Sequence, residues 1–285
     1  MRPTQSDFDE DDEFKMLLDF IKEKKEATQK SYKANYRKLR ILVNGDNLRD
    51  VSEDRVIKTV DREIEKVNTR QALLNIAITA RNMTPVLPTG KLIKQRTTNT
   101  NDVEAHVKEN NSKLDLPDIT EFDAYISDLY KKKKYREYII NYLMRNYYVR
   151  NQDLLFDTVT VKRDTIDSNL NYLWLDSKKR RVIYIRNSYK TVDTYGPKTY
   201  VIEDADFVRA VKFCHKLQYA FPLTDSPEKI GYYIKKLSFR ELGEGAILKM
   251  IISNYKDDIT KLKEISEKRG TALDVLLTSY NIAYN

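Results

Sequence analysis

The apolar residues of this chain change their period partway along it, and that change limits the fold more than any other feature. Phe14, Leu17, Leu18 and Ile21 recur at helical spacing, followed by Tyr32, Tyr36 and Leu39, and then by Val56, Val60, Ile64 and Val67. Each run can bury one face of a helix. Asn44-Gly45-Asp46 reads as a turn, and Leu73 to Ile78 as a fourth, shorter helix. From Asn82 to about Asp115 the pattern dissolves into Pro85, Pro88, Gly90 and the polar run Gln95 to Asp102, which reads as a linker. Helical spacing returns at Phe122, Ile126 and Leu129 and again from Tyr135 to Leu143, with Thr120 and Asp123 set as a capping pair. After Asp153 the period shifts to strands at Asn171–Leu175, Arg181–Ile185 and Thr199–Ile202. Helices resume at Asp204, with segments over Gly231–Leu237, Gly245–Tyr255 and Ile259–Ser266.

The expected fold is mainly α with a small antiparallel β-sheet, in four segments. An acidic flexible tail covers 1–13, a helical unit 14–82, a linker 83–115 and a larger α+β unit 116–285.

A formal charge of +8 persists although the opening residues are acidic, so the remainder of the chain is more basic still. That balance favours polyanions, nucleic acid above all, through long-range attraction and counterion release. A merely soluble basic surface is the plainer reading. No apolar run reaches membrane-spanning length, and acids stand where a secretion signal needs apolar residues, so neither a membrane partner nor export is expected. Cys214 is the one cysteine, which excludes a disulfide framework and suits a reducing intracellular compartment. His106 and His215 are the two histidines, too few for a structural metal, and no phosphate-cradling glycine loop is present, so neither metal nor small-molecule cofactor is expected. Cys214 and His215 diverge by roughly 100° on a helix and form no dyad.

Two groups of cations stand out. Lys30, Lys33, Arg37 and Arg40 form a stripe opposite Tyr32, Tyr36 and Leu39, able to lie along a phosphate backbone or to serve as an ordinary solvated face. Lys91, Lys94 and Arg96 give the linker a basic edge that can follow a duplex. A tyrosine, Tyr280, closes the apolar run Ala272 to Leu277 near the carboxyl end. Breaking a phosphodiester with a tyrosine requires cations for the non-bridging oxygens, an acid for the leaving 5′-oxygen and a phenol held in line. Tyr280 can be that phenol, or one more of twenty tyrosines packing a helix.

Further residues bear on that choice. In Tyr148-Val-Arg150-Asn-Gln-Asp153 an arginine precedes an apolar helical turn, and Arg181 to Gly196 reads as a strand, a tight turn carrying Lys190, and a returning strand. With these segments the sequence resembles the tyrosine recombinase/integrase family over most of residues 14–285. The resemblance implies a helical core-binding-like domain joined to a catalytic-like domain, and double-stranded DNA as partner, with self-association on it. It also implies strand cleavage and rejoining through a 3′-phosphotyrosyl link, in a protein of viral or mobile-element type working where DNA is. By the same resemblance Arg150 is the first active-site arginine with Asp153 the carboxylate after it, Lys190 the general acid, Lys249 in the place of the second arginine, Thr271 in that of a histidine or tryptophan, and Tyr280 the nucleophile. Tyr284 is a rival nucleophile near the chain end. The chain departs from the family pattern at Ala246, where a histidine is expected, and at Lys249 and Thr271. Lysine keeps the charge without the planar fork, and threonine cannot do an imidazole's proton chemistry. Arg269 lies near enough in sequence to compensate and to contact DNA. The long stretch from Arg150 to Lys190 implies an additional turn or strand near Arg163 to Asn171. The alternative reading keeps the fold and its DNA surface without catalysis, as a binding or viral structural protein.

Overall fold

In the computed structural model, residues 8, 11–112, 115–160, 167, 169–218, 221, 223–224 and 226–280 are described. Tyr284, the side chain of His106 and positions 161–166, where the extra turn or strand was expected, lie outside that set. The chain divides into two compact units, Met1–Glu109 and Asn110–Asn285.

Helices α1 (Asp12–Ile21), α2 (Glu26–Leu42), α3 (Glu53–Glu63) and α4 (Val67–Asn82) build the first unit, and α5 (Gly90–Ser112) begins in it. Its core gathers the apolar faces read from the sequence, Phe14, Leu17, Ile21, Tyr36, Leu39, Val56 and Val60, together with Leu73, Leu74 and Ala77. Burying each of the larger aliphatic side chains contributes about 1.5–3 kcal/mol.

Three expectations change here. The acidic start is not all tail: Phe8 is buried, Asp11 caps α1 by accepting the Glu13 N–H at 2.7 Å, and Glu13 itself is buried. The stretch expected as an irregular linker is largely helix α5. Its weak apolar periodicity hid it, because it is held through Leu92 in the core and through polar bonds, Gln71 to Thr100 at 2.8 Å and Arg96 to Asn75 at 3.3 Å. The cation stripe on α2 is not uniformly outward, since its last member, Arg40, is buried.

In the second unit α6 (Ile119–Lys131) and α7 (Tyr135–Tyr147) are followed by a short 3-10 turn (Asn151–Leu154), then β1 (Phe156–Val159), β2 (Asn171–Asp176), β3 (Arg181–Arg186), α8 (Val192–Tyr195) and β4 (Lys198–Ile202). Helices α9 (Ala205–Leu217), α10 (Ile230–Leu237), α11 (Glu244–Asn254), α12 (Ile259–Arg269) and α13 (Leu273–Tyr280) complete it. The cap of α6 is Asp118, closed into a box with Glu121, rather than Thr120 with Asp123. Thr120 instead donates its N–H and hydroxyl to Asp118.

The sheet runs in the order β1-β2-β3-β4. It is mixed rather than purely antiparallel: β1 pairs parallel to β2, and the other two pairings are antiparallel. Only the first turn after Arg150 is helical, and the apolar residues that follow enter β1. Alternation splits β3 between two faces. Val182 and Tyr184 join the main core, whereas Ile183 and Ile185 pack with Tyr172 and Trp174 on the other side. Arg186, next in the inward series, is fully buried. Cys214 is core as well, where burial pushes its thiol up to about 12, and His215 Nδ1–H donates to the Thr158 carbonyl at 3.1 Å.

Candidate functional site

Helix α12 ends at Gly270, which adopts φ 67°. A Cβ there would stand 3.0 Å from Tyr189 Cε2 and 3.1 Å from Thr191 Oγ1, so both the conformation and the close approach call for glycine. A helix end leaves its last carbonyls without intrahelical partners. Here side chains from other segments take them. Arg186 Nη1 donates to Lys268 O at 2.7 Å, Arg150 Nη1 to Arg269 O at 2.8 Å, and Thr191 Oγ1 to Gly270 O at 2.7 Å. Arg150 Nη2 reaches Gly270 O at 3.3 Å and the Thr271 hydroxyl at 2.7 Å.

Behind these bonds lies a layer of buried charge. Asp153 Oδ2 accepts the Arg150 backbone N–H at 2.8 Å and pairs with Arg186, both side chains being fully buried. Arg269 donates to Tyr148 O at 2.8 Å and pairs with Glu244, whose second oxygen accepts the Asn151 N–H at 3.1 Å. On its other side the Arg269 guanidinium lies 5.4 Å from the centre of the Tyr280 ring. Five segments therefore meet at one corner: the turn after α7, the end of β3 with the β3–β4 connection, the start of α11, the end of α12 and the end of α13.

The corner's electrostatics follow from burial and like charge. Burial, then the neighbouring Arg269 charge, pulls the Arg150 guanidinium below its ordinary value, with Asp153 and Glu244 acting the other way. Burial pushes the Asp153 carboxyl up, against the pull of Arg186 and of the Arg150 N–H. Three guanidiniums share two carboxylates, and Asp153 Oδ1, Arg186 Nε, Arg269 Nε and Asn151 Oδ1 are buried without a hydrogen-bond partner among the described residues. An anion entering beside the half-buried Arg150 would meet a net positive charge in a partly desolvated setting.

Of the residues singled out in the sequence, Arg150 and Thr271 touch, and Tyr280 joins them through Arg269. Lys190 is exposed and stands between buried Tyr189 and the Thr191 that bonds Gly270, at the Arg186 end of β3. The tight hairpin is a different turn, Ser177 to Arg180 between β2 and β3. It lies at the opposite end of β3, about 17 Å along the strand from Arg186. Lys249 is half-buried on α11 and about 140° around the helix from Glu244, the residue through which α11 meets Arg269. Arg269 is buried rather than presented to solvent.

Among the other cations, Lys30 and Lys94 are exposed, Lys33 is half-buried, and Lys91 is exposed and pairs with Asp54. Arg37 lies over the Phe14 ring at 5.0 Å. Arg40 is enclosed by Asp11 at 2.8 Å, Glu13 at 3.1 Å and the Gly45 carbonyl at 2.8 Å. The residues that sequence reasoning passed over are Arg186, whose signal was its inward register after Val182 and Tyr184, and Glu244, which pairs with Arg269.

No family model and no curated protein matches the chain. Among solved structures, the crystal structure of XerA recombinase is similar at a TM-score of 0.35 and 12% identity, over 94% of this chain and 92% of that chain. Among the described residues no helix is long and apolar enough to cross a membrane.

Proposed function

We propose that this chain binds duplex DNA and that the Arg150 corner cleaves and rejoins one strand in the manner of a tyrosine recombinase. The observation that carries this reading is the 2.7 Å bond from Arg150 to Thr271, made across 121 positions of sequence at the helix end on which Tyr280 and the Lys190 turn also converge. In the forward step the Tyr280 phenol oxygen bonds to phosphorus, the phosphorus–O5′ bond breaks, and Lys190 protonates the departing 5′-oxygen while the phenol proton leaves to water. A 5′-hydroxyl attacking the phosphotyrosine reverses the step and restores the phenol. Arg150 carries five N–H donors. Three bonds hold it to Arg269, Gly270 and Thr271, so its Nε–H and second Nη1–H are the ones to meet a phosphate oxygen. Lys249 adds charge without a fork. In this reading residues 14–82 form the core-binding-like part, with Lys30 and Lys33 along the backbone, and protomers associate on paired DNA sites within a DNA-containing compartment.

A second reading, a duplex-binding protein without catalysis, is favoured by a specific observation. Three of the five Arg150 donors are engaged by Arg269, Gly270 and Thr271, and Thr271 stands where proton chemistry calls for an imidazole. Nicked suicide duplexes built from the flanking DNA of the native element separate the two. The first reading expects a denaturation-resistant protein–DNA adduct from the wild type that is absent from Tyr280→Phe. Tight duplex binding by both proteins with no adduct from either would select the second.

A further inference from the structure

The outward side of α10 carries a pattern that strand cleavage does not use. Lys229, Tyr232, Tyr233 and Lys236 follow one another at i, i+3, i+4 and i+7, so they form a single stripe, while Ile230 and Ile234 are buried on the opposite side. Tyr232 is 59% exposed and Tyr233 38%. Their rings meet edge to face, with centres 5.7 Å apart and planes at 77°. The Lys236 ammonium sits 4.5 Å from the Tyr232 ring centre, and Lys229 and Lys235 are exposed beside it. Carboxylates come only at the two ends of the segment, at Glu228 and Glu241. Tyr232 leaves more than half of its surface in solvent, and tyrosine is a weaker helix former than the lysines around it. At Gly231 α10 runs close to the turn directly after Arg150: a Cβ there would be 3.3 Å from Asn151 Nδ2.

We propose that this stripe is a platform for single-stranded DNA, with Tyr232 and Tyr233 stacking on unpaired bases and Lys229, Lys235 and Lys236 taking the backbone phosphates. The chemistry selects an unpaired strand over a duplex. Bases in a duplex already cover both of their faces with one another, so only an unstacked base can lie on an exposed ring. Solvent-facing aromatics among lysines are the combination that holds single strands with little regard to sequence. The ammonium over Tyr232 occupies the place a base would take, and when displaced it remains within reach of the adjoining phosphate. Nothing in the platform depends on cleavage by Tyr280.

Fluorescence anisotropy tests it, using a labelled oligothymidylate of about twenty nucleotides and a blunt duplex of equal length. The protein is the full chain carrying Tyr280→Phe, with and without Tyr232→Leu and Tyr233→Leu, since leucine keeps helix propensity and apolar bulk but has no ring. Each lost ring is expected to weaken single-strand binding at least about fivefold, with duplex affinity changed less than about twofold. Tyr232→Phe with Tyr233→Phe is expected to bind the single strand like the parent. Unchanged single-strand binding in the leucine variant, or an equal loss on both DNAs, would overturn the platform. Failure to form a covalent adduct with the Tyr280 protein bears on cleavage and leaves this result intact.

Discussion

In the first unit one guanidinium, Arg40, faces two carboxylates, Asp11 and Glu13, whereas in the second three, Arg150, Arg186 and Arg269, share Asp153 and Glu244. The first cluster is closed. Glu13 accepts the Tyr36 hydroxyl at 2.7 Å, Arg40 at 3.1 Å and the N–H groups of Leu48 and Arg49 at 3.0 and 2.8 Å, and no side-chain atom of the cluster is orphaned. It ties the acidic start of the chain to α2 and to the turn after it. With one charge too many on the carboxylate side, it gives a phosphate no reason to approach. The second cluster is open: positive in balance, with four unpartnered polar atoms and with Arg150 at its partly exposed edge. Buried arginine in itself therefore says little about function. Charge balance and unfilled hydrogen bonds separate a structural clamp from a candidate anion site.

The comparison is broken most severely at Arg186. Arg186→Ala leaves Asp153 buried without its partner and should cost about 3–5 kcal/mol, read by urea denaturation. A loss under about 1 kcal/mol would mean that Asp153 is protonated and that the second cluster is more positive than its formal charges imply.

A smaller effect sharpens the account of the first unit. Burial pushes the Asp11 carboxyl up, but the Arg40 hydrogen bond, the Glu13 N–H and the Arg40 charge together outweigh it, so its pKa falls below the usual 3.8. A depressed carboxylate stabilises the fold above its unfolded pKa, and that contribution disappears as the pH falls through the folded value. Asp11→Asn should thus be less stable than the wild type near neutral pH and converge with it under acid conditions, below pH 3.8. No gap near neutral pH would show that Asp11 acts only as a helix cap, a role that asparagine fills equally well.

The smallest effect concerns exposed charge. Lys30→Gln should leave stability alone and flatten the dependence of log duplex affinity on log salt by about 0.9. An unchanged slope would remove Lys30 from the proposed DNA contacts.

How much of this was legible in the sequence depends on what holds each element. Helices with an apolar stripe, such as α1 and α3, and strands that are short apolar runs rich in β-formers, such as β2 and β3, could be read directly. Helix α5 could not, because Leu92 and a few polar bonds fix it in place of a stripe. Strand β1 is four residues long, and Leu154, Leu155 and Phe156 form an apolar run that suits either a helical turn or a strand. Within the corner, Arg150, Thr271 and Tyr280 came from the spacing of their segments and the resemblance those segments carry. Arg186, at the end of an apolar run, and Glu244, between two glycines at the start of α11, were missed because each looks solvated until partners distant in sequence appear. The Tyr232–Tyr233 stripe was visible only as part of a helix, since spacing alone does not tell which face turns to solvent.

Strand cleavage through Tyr280 is tested by mapping the covalent bond itself. After reaction with a suicide duplex, nuclease and trypsin treatment should leave a nucleotide on the peptide that follows Arg269, which contains both Tyr280 and Tyr284. Fragmentation by mass spectrometry then identifies the modified residue. Cleavage by Tyr280 leaves a nucleotide joined through its 3′-phosphate to that residue; a nucleotide on Tyr284 or on any other tyrosine would overturn the assignment.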